Sequence, residues 1–120
     1  MKKFNLNTSN NRFTVDKNQI NNSNALLPYI LFKKMELYTL EATNNYHEYI
    51  NSKPQLMKLN ILKNAFLNDQ LQIDSHIKKL NRTELQLTVN VVKEFEDSKD
   101  IVCKALFKFS LNGIKIKQVS

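Results

Sequence analysis

Glycine occurs once in the 120 residues, cysteine once and proline twice, and each scarcity removes a class of protein. With Gly113 as the single glycine, no glycine-rich phosphate loop of the Walker or dinucleotide-binding kind is present, and no Ser-His-Asp arrangement stands out. The lone Cys103 cannot close an internal disulfide, and Met1-Lys2-Lys3-Phe4 leads into Asn-rich polar sequence rather than an apolar leader. A reducing, cytoplasmic setting is therefore expected. No apolar run approaches the roughly 20 residues needed to span a bilayer. His47 and His76 lack Cys, Asp or His neighbours at ligand spacing, so no metal site is expected. The charge is not gathered into a block either: the net charge is +7, but the lysines are spread through the chain, the pattern of a solvated surface rather than a nucleic-acid footprint. A phosphate-rich small ligand remains compatible with that surplus.

What is present is enough for one core. A length of 120 residues with 42% hydrophobic content predicts a single domain over 1–120, without an internal repeat or a linker rich in Pro, Gly or Ser. Phe4-Asn5-Leu6 and Phe13-Thr14-Val15 alternate briefly and offer an edge strand, and Asp16 to Asn24 reads as a loop whose Asn or Ser caps a helix after it. From Ala25 to about Tyr49, Leu27, Leu31, Met35, Tyr38, Ala42 and Tyr46 recur at helical spacing. Leu26, Ile30 and Leu37 widen that stripe, predicting a helix buried on more than one side with Pro28 in its first turn.

After Pro54 the period changes from 3.6 to 2. Leu56 to Leu62 predicts one strand, and Leu71, Ile73, Ser75 and Ile77 another. Leu85, Leu87, Val89 and Val91 mark a third, and Ile101, Cys103, Ala105, Phe107, Phe109 and Leu111 a fourth, with a short terminal strand at Ile114 to Ile116 after Gly113. Asn81-Arg82-Thr83 and the charged stretch Glu94 to Asp100 are the connections. The order is strand, long helix, then four or more antiparallel strands, whose buried face has only that helix to pack on.

Order and local motifs together resemble the hotdog-fold acyl-CoA thioesterases, in particular the short bacterial enzymes acting on a broad range of acyl-CoA esters. Asn21 stands where that family has an Asn before the helix, Met35-Glu36 where it has Met-Asp, and Asn68-Asp69 where Gly-Asp opens a long strand. Asn81-Arg82-Thr83 matches a Gly-Arg-Ser/Thr turn, and Ala105-Leu106-Phe107-Lys108-Phe109 the Ala-hydrophobic-Phe run of the last strand. The chain departs from the pattern at Pro28-Tyr29, where the family has a Gly-Gly pair, and at Asn68 and Asn81, where it has glycines that asparagine's tolerance of positive φ can replace.

The resemblance implies an α+β hotdog fold, one long central helix wrapped by a curved antiparallel sheet of five to six strands. It also implies hydrolysis of acyl-CoA or acyl-carrier-protein thioesters, with coenzyme A as part of the substrate and no further cofactor. Glu36 would be general base or nucleophile, and Asn21 would position the water or the carbonyl oxygen. A backbone amide near the helix N-terminus would stabilise the oxyanion. Arg82, with Lys78 or Lys79, would hold the coenzyme A phosphates in the turn formed with Asn81 and Thr83. Sites of this kind are shared between subunits, so a homodimer or higher homo-oligomer is implied, with neither a nucleic-acid partner nor a membrane span.

Plainer readings exist for the same residues. Lys33 is three positions before Glu36, so a solvated helix ion pair accounts for both. Asn21 serves equally as a turn or cap residue, Asp69 as a strand-opening acceptor, and Cys103 as a small core residue. A non-catalytic hotdog protein that binds an acyl group or a protein partner is the alternative that the missing glycines favour. A 3-hydroxyacyl dehydratase is less compatible, because no His precedes Tyr46.

Overall fold

The computed structural model describes residues 6–7, 11–94 and 99–112. Five strands form one antiparallel sheet: β1 (Arg12–Thr14), β2 (Gln55–Ile61), β3 (Gln70–Leu80), β4 (Glu84–Glu94) and β5 (Lys99–Ser110). Their order across the sheet is β1-β3-β4-β5-β2, and one long helix, α1 (Pro28–Ala42), packs against one face. This is the expected hotdog architecture with five strands. Phe4 and Asn5 and the expected terminal strand at Ile114 to Ile116 lie outside the described residues.

Alternation of side chains makes the sheet. In β4, Leu85, Leu87, Val89 and Val91 are all fully buried, opposite Phe109, Phe107, Ala105 and Cys103 of β5. Burying one such side chain contributes about 1.5–3 kcal/mol, more than an exposed ion pair, so this double row outweighs the surface charges. Curvature enters at register shifts between Leu56 and Lys58, Ile77 and Lys79, and Val91 and Val92. At the last of these, consecutive Val91 and Val92 are both buried, as are Val102 and Cys103 across from them. An extra residue there bends the strand. The β4 and β5 strands also run further than expected, to the pair Glu94 and Lys99.

The helix is shorter than its sequence period. Leu27 precedes a proline and is extended, φ −67° and ψ 132°, so helical geometry begins only at Pro28. Ala25 and Leu26 keep the apolar spacing but form bridges to Phe66 and Ile20 instead. No Asn or Ser side chain caps this helix, because Leu27 occupies the cap position. At the other end the hydroxyl of Thr43 donates to the Thr39 carbonyl at 2.8 Å and the helix stops, with Tyr46 in a separate 3-10 turn, Asn44–Tyr46. Leu31, Met35, Tyr38, Thr39 and Ala42 are buried, whereas Leu37 is 56% exposed. A single sheet covers a single face, so burial on more than one side is not seen. Among the described residues no helix is long and apolar enough to cross a membrane.

Candidate active site

Asn21 organises the loop that delivers the chain to α1. Its side-chain Oδ1 accepts from the backbone amides of Ser23 at 2.8 Å and Ala25 at 3.1 Å, and its own amide donates to the Ala25 carbonyl at 2.9 Å. Asn24 takes a positive φ of 61° to close that turn, and its carbonyl accepts from the amide of Leu67. With Oδ1 committed to two amides, the Nδ2 group of the exposed Asn21 is what the loop presents outward. That Nδ2 group can donate either to a carbonyl oxygen or to a water.

The start of α1 supplies further donors. Leu27 donates to Gln19, Pro28 has no amide hydrogen, and the helical ladder begins with Leu31 donating to Leu27 at 3.1 Å. The amides of Tyr29 and Ile30 therefore lack an intrahelical acceptor and sit at the positive end of the helix dipole. Tyr29 is 64% exposed.

Glu36 lies on the flank of α1 rather than its buried face. Phe32, one turn earlier on the same flank, stacks on Phe107 of β5 with ring centroids 6.2 Å apart, and Phe107 pairs with Leu56 of β2. Glu36 thus stands toward the β5 and β2 side, its side chain 25% exposed. Lys33 Nζ is 3.6 Å from Glu36 Oε1, the helix ion pair that the spacing suggested. Such a pair, half open to solvent, contributes about 0–1 kcal/mol and yields readily to another partner. Tyr29, seven residues before Glu36, shares its face of the helix.

Asn81, Arg82 and Thr83 form the tight turn joining β3 to β4. Asn81 Oδ1 accepts from the Thr83 amide at 2.9 Å, the Thr83 hydroxyl at 3.1 Å and the Glu84 amide at 2.9 Å. This turn needs no left-handed residue at Asn81, whereas Asn68 does take a positive φ of 71° in the turn before β3. Arg82 is exposed and makes no ion pair among the described residues. The lysines expected beside it are placed differently. Lys79 lies 2.8 Å from Glu84 Oε1, with Lys108 3.5 Å from Oε2. Its hydrogen-bonded ammonium chiefly holds Glu84 below the usual carboxylate range, against the effect of desolvation and with help from Gln86 and Lys108. Lys78 lines a groove on the sheet face opposite the helix.

Two supporting residues are structural. Asp69 Oδ2 accepts from the Phe66 amide at 2.8 Å and pairs with Lys93 at 3.0 Å. Cys103 is fully buried under the helix, with its thiol 3.8 Å from Met35 Sδ, and burial pushes that thiol up to about 11.

One subunit does not gather all the expected residues. Leu67 ties the Asn21 loop to the turn before β3, whereas Arg82 follows the far end of that strand. The 11 residues of β3 separate them by roughly 35 Å. Glu36 lies about 12 Å along the helix axis from Pro28.

No protein-family model and no curated protein matches the sequence. Solved structures do match. An acyl-CoA hydrolase from Staphylococcus aureus, in complex with butyryl coenzyme A, coenzyme A and coenzyme A disulfide, superposes with a TM-score of 0.68 at 12% identity, over 83% of this chain. The chain spans only 60% of that hydrolase's length. A hypothetical thioesterase from Streptococcus pneumoniae with coenzyme A gives 0.68 at 19% identity, covering 85% of this chain and 76% of the other. A hexameric thioesterase from Yersinia pestis gives 0.63 at 12% identity, covering 82% of each. With one helix seated in a curved sheet of order β1-β3-β4-β5-β2 and thioesterases as its structural neighbours, the chain has the hotdog fold.

Proposed function

We propose that this protein hydrolyses acyl-CoA thioesters at a site completed by a second copy of the chain. The observation that carries the proposal is Glu36, a half-buried carboxylate on the helix flank nearest the open edge of the sheet, whose ion pair is with a solvent-exposed lysine. The Staphylococcus aureus hydrolase was also characterised with an aspartate replaced by alanine, and separately with an asparagine fifteen positions before that aspartate replaced by alanine. Asn21 and Glu36 stand at the same spacing.

In the reaction, Asn21 Nδ2 and a free amide of Tyr29 or Ile30 donate to the thioester carbonyl oxygen, where negative charge develops. Glu36 takes a proton from water as the water oxygen bonds to the carbonyl carbon. The C–S bond then breaks, and the proton passes to the departing thiolate, giving a carboxylic acid and coenzyme A. Direct attack by the carboxylate, through an anhydride that water opens, reaches the same products. Arg82, held by the Asn81 and Thr83 turn, supplies a bidentate donor for phosphate.

Shared sites follow from the separations. Among the described residues β2 is an edge strand paired only with β5, and Leu56, Met57, Ile61 and Leu62 beside that edge are 36–54% exposed. Open apolar edges of this kind favour strand pairing with a second copy. In an antiparallel, two-fold pairing of β2 strands, the end of one β2, which leads to the Asn21 loop, meets the start of the other, which leads to the Asn81 turn. The same symmetry carries the partner's helix flank toward the first helix start. The Yersinia pestis neighbour is hexameric, which accords with such assembly.

Thiol release from short-, medium- and long-chain acyl-CoAs, and from an acyl-carrier-protein thioester, tests the proposal. Turnover of any acyl-CoA supports it, and none across the panel refutes it. The exposed Tyr29 and the proline at the helix start favour a second reading, a non-catalytic protein that binds an acyl group or a protein partner, and saturable binding without turnover would identify it.

A further inference from the structure

Lysines that the sequence scatters are brought together on the sheet face opposite the helix. A groove of about 290 Å³ there is lined by Lys58 and Asn60 of β2, Lys78 of β3, Thr88 and Asn90 of β4, and Lys104 of β5, with Leu106 in its floor. The strand register builds it: Asn90 stands beside Lys104, which stands beside Asn60, and in the next row Thr88 stands beside Leu106, which stands beside Lys58. Lys78 reaches this face by alternation with Asp74 and His76, and the register shift between Leu56 and Lys58 brings Lys58 beside Leu106 on the same face.

Three features mark the groove as an anion site rather than an ordinary polar surface. None of Lys58, Lys78 and Lys104 makes an ion pair among the described residues, although Lys33, Lys63, Lys79, Lys93 and Lys108 all do. The acidic groups on this face are engaged elsewhere: Glu84 by Lys79 and Lys108, and Asp74, beside Asn90, by the side-chain amide of Gln72 at 2.8 Å. Two side-chain amides, Asn60 and Asn90, lie between the cations, so an anion seated there finds neutral donors as well as charge; the Thr88 hydroxyl already donates to the His76 carbonyl at 3.3 Å.

We propose that this groove binds a small organic phosphate carrying more than one phosphoryl group. From β3 to β2 the lysines span three strand intervals, roughly 14 Å, which a single phosphate does not bridge and a diphosphate ester with an organic body does. A second copy seated face to face would bring lysine against lysine, so charge argues against that occupant. The groove and Glu36 lie on opposite faces of the sheet, and Arg82 does not line the groove.

Calorimetric titration of the full chain with ADP, and in parallel with inorganic tripolyphosphate, tests the proposal at low ionic strength. The expected result is saturable binding of ADP that weakens as salt is raised from about 0.05 to 0.2 M. Lys104→Gln and Lys58→Gln, both at exposed positions, each weaken it about five-fold or more. Arg82→Gln removes at most a second, independent ADP event at the turn and leaves the event that Lys104→Gln and Lys58→Gln weaken, which separates this site from a coenzyme A phosphate site there. Binding of tripolyphosphate as tight as that of ADP shows that the phosphates carry recognition, and tighter binding of ADP shows that the organic body adds to it. Absence of heat with either probe at millimolar concentration overturns the proposal. So does ADP binding that is lost in Arg82→Gln and kept in Lys104→Gln, or a Lys104→Gln variant that changes the oligomeric state while ADP binding is unaltered.

Discussion

Tyr38 Oη of the helix lies 3.1 Å from Ser75 Oγ of β3, a hydrogen bond that sets the rotation of α1 on the sheet. With Tyr38 buried toward β3 and Phe32 stacked toward β5, Glu36, one turn after Phe32, is fixed on the β5 flank. Tyr38→Phe and Ser75→Ala are each expected to cost about 1 kcal/mol in urea denaturation. The double variant should lose clearly less than the sum of the two, since both changes remove the same bond. Additive losses would mean that the bond is not formed.

Burial of Cys103 against Met35 has a consequence for pH. The folded thiol titrates at about 11, above its ordinary value of 9.0, so the folded state holds this proton more tightly than the unfolded state. Its contribution to stability is complete below about pH 9 and is lost as pH rises toward 11. Denaturation midpoints across that window should fall more steeply for the native chain than for Cys103→Ala. Iodoacetamide at pH 8 should label Cys103 only after unfolding.

The two asparagines that stand where the family has glycine should respond oppositely to glycine. Asn68 has φ 71°, so Asn68→Gly is expected to be neutral or stabilising and Asn68→Ala to cost about 1 kcal/mol. Asn81 instead acts through its side chain, which accepts three hydrogen bonds, so Asn81→Gly and Asn81→Ala should both destabilise by about 1–2 kcal/mol. Thermal melts of the four variants check this.

A site shared between copies predicts complementation. Asn21→Asp keeps the Oδ1 acceptor for Ser23 and Ala25 but removes the Nδ2 donor, so the loop should fold while hydrolysis is lost. Glu36→Gln should likewise be folded and inactive. If Asn21 of one copy works with Glu36 of another, unfolding and refolding the two variants together should restore about a quarter of native activity. No recovery would place both groups in one subunit's site or remove one of them from it.

Strand positions were legible in the sequence because β3, β4 and β5 alternate over long runs and the core side of each strand can be read directly. The helix was legible in its phase but not in its limits. Ala25 and Leu26 continue the apolar spacing, and only the restriction that Pro28 places on Leu27 ends the helix there. Asn21, Glu36 and the Asn81 turn were found through resemblance, and no local pattern distinguishes Glu36 from a surface partner of Lys33. The lysine groove was not legible, because Lys58, Lys78 and Lys104 come together only through strand order and the register shift at Leu56 and Lys58, which the local period does not encode. Dispersed lysine in the sequence therefore did not mean dispersed charge in the fold.

Steady-state thiol release from the best acyl-CoA substrate, measured for the native chain and for Glu36→Ala at matched thermal stability, tests the central claim most directly. The carboxylate mechanism predicts a loss of about 100-fold or more in kcat with the fold intact. A folded Glu36→Ala variant that turns over the substrate like the native chain would contradict it.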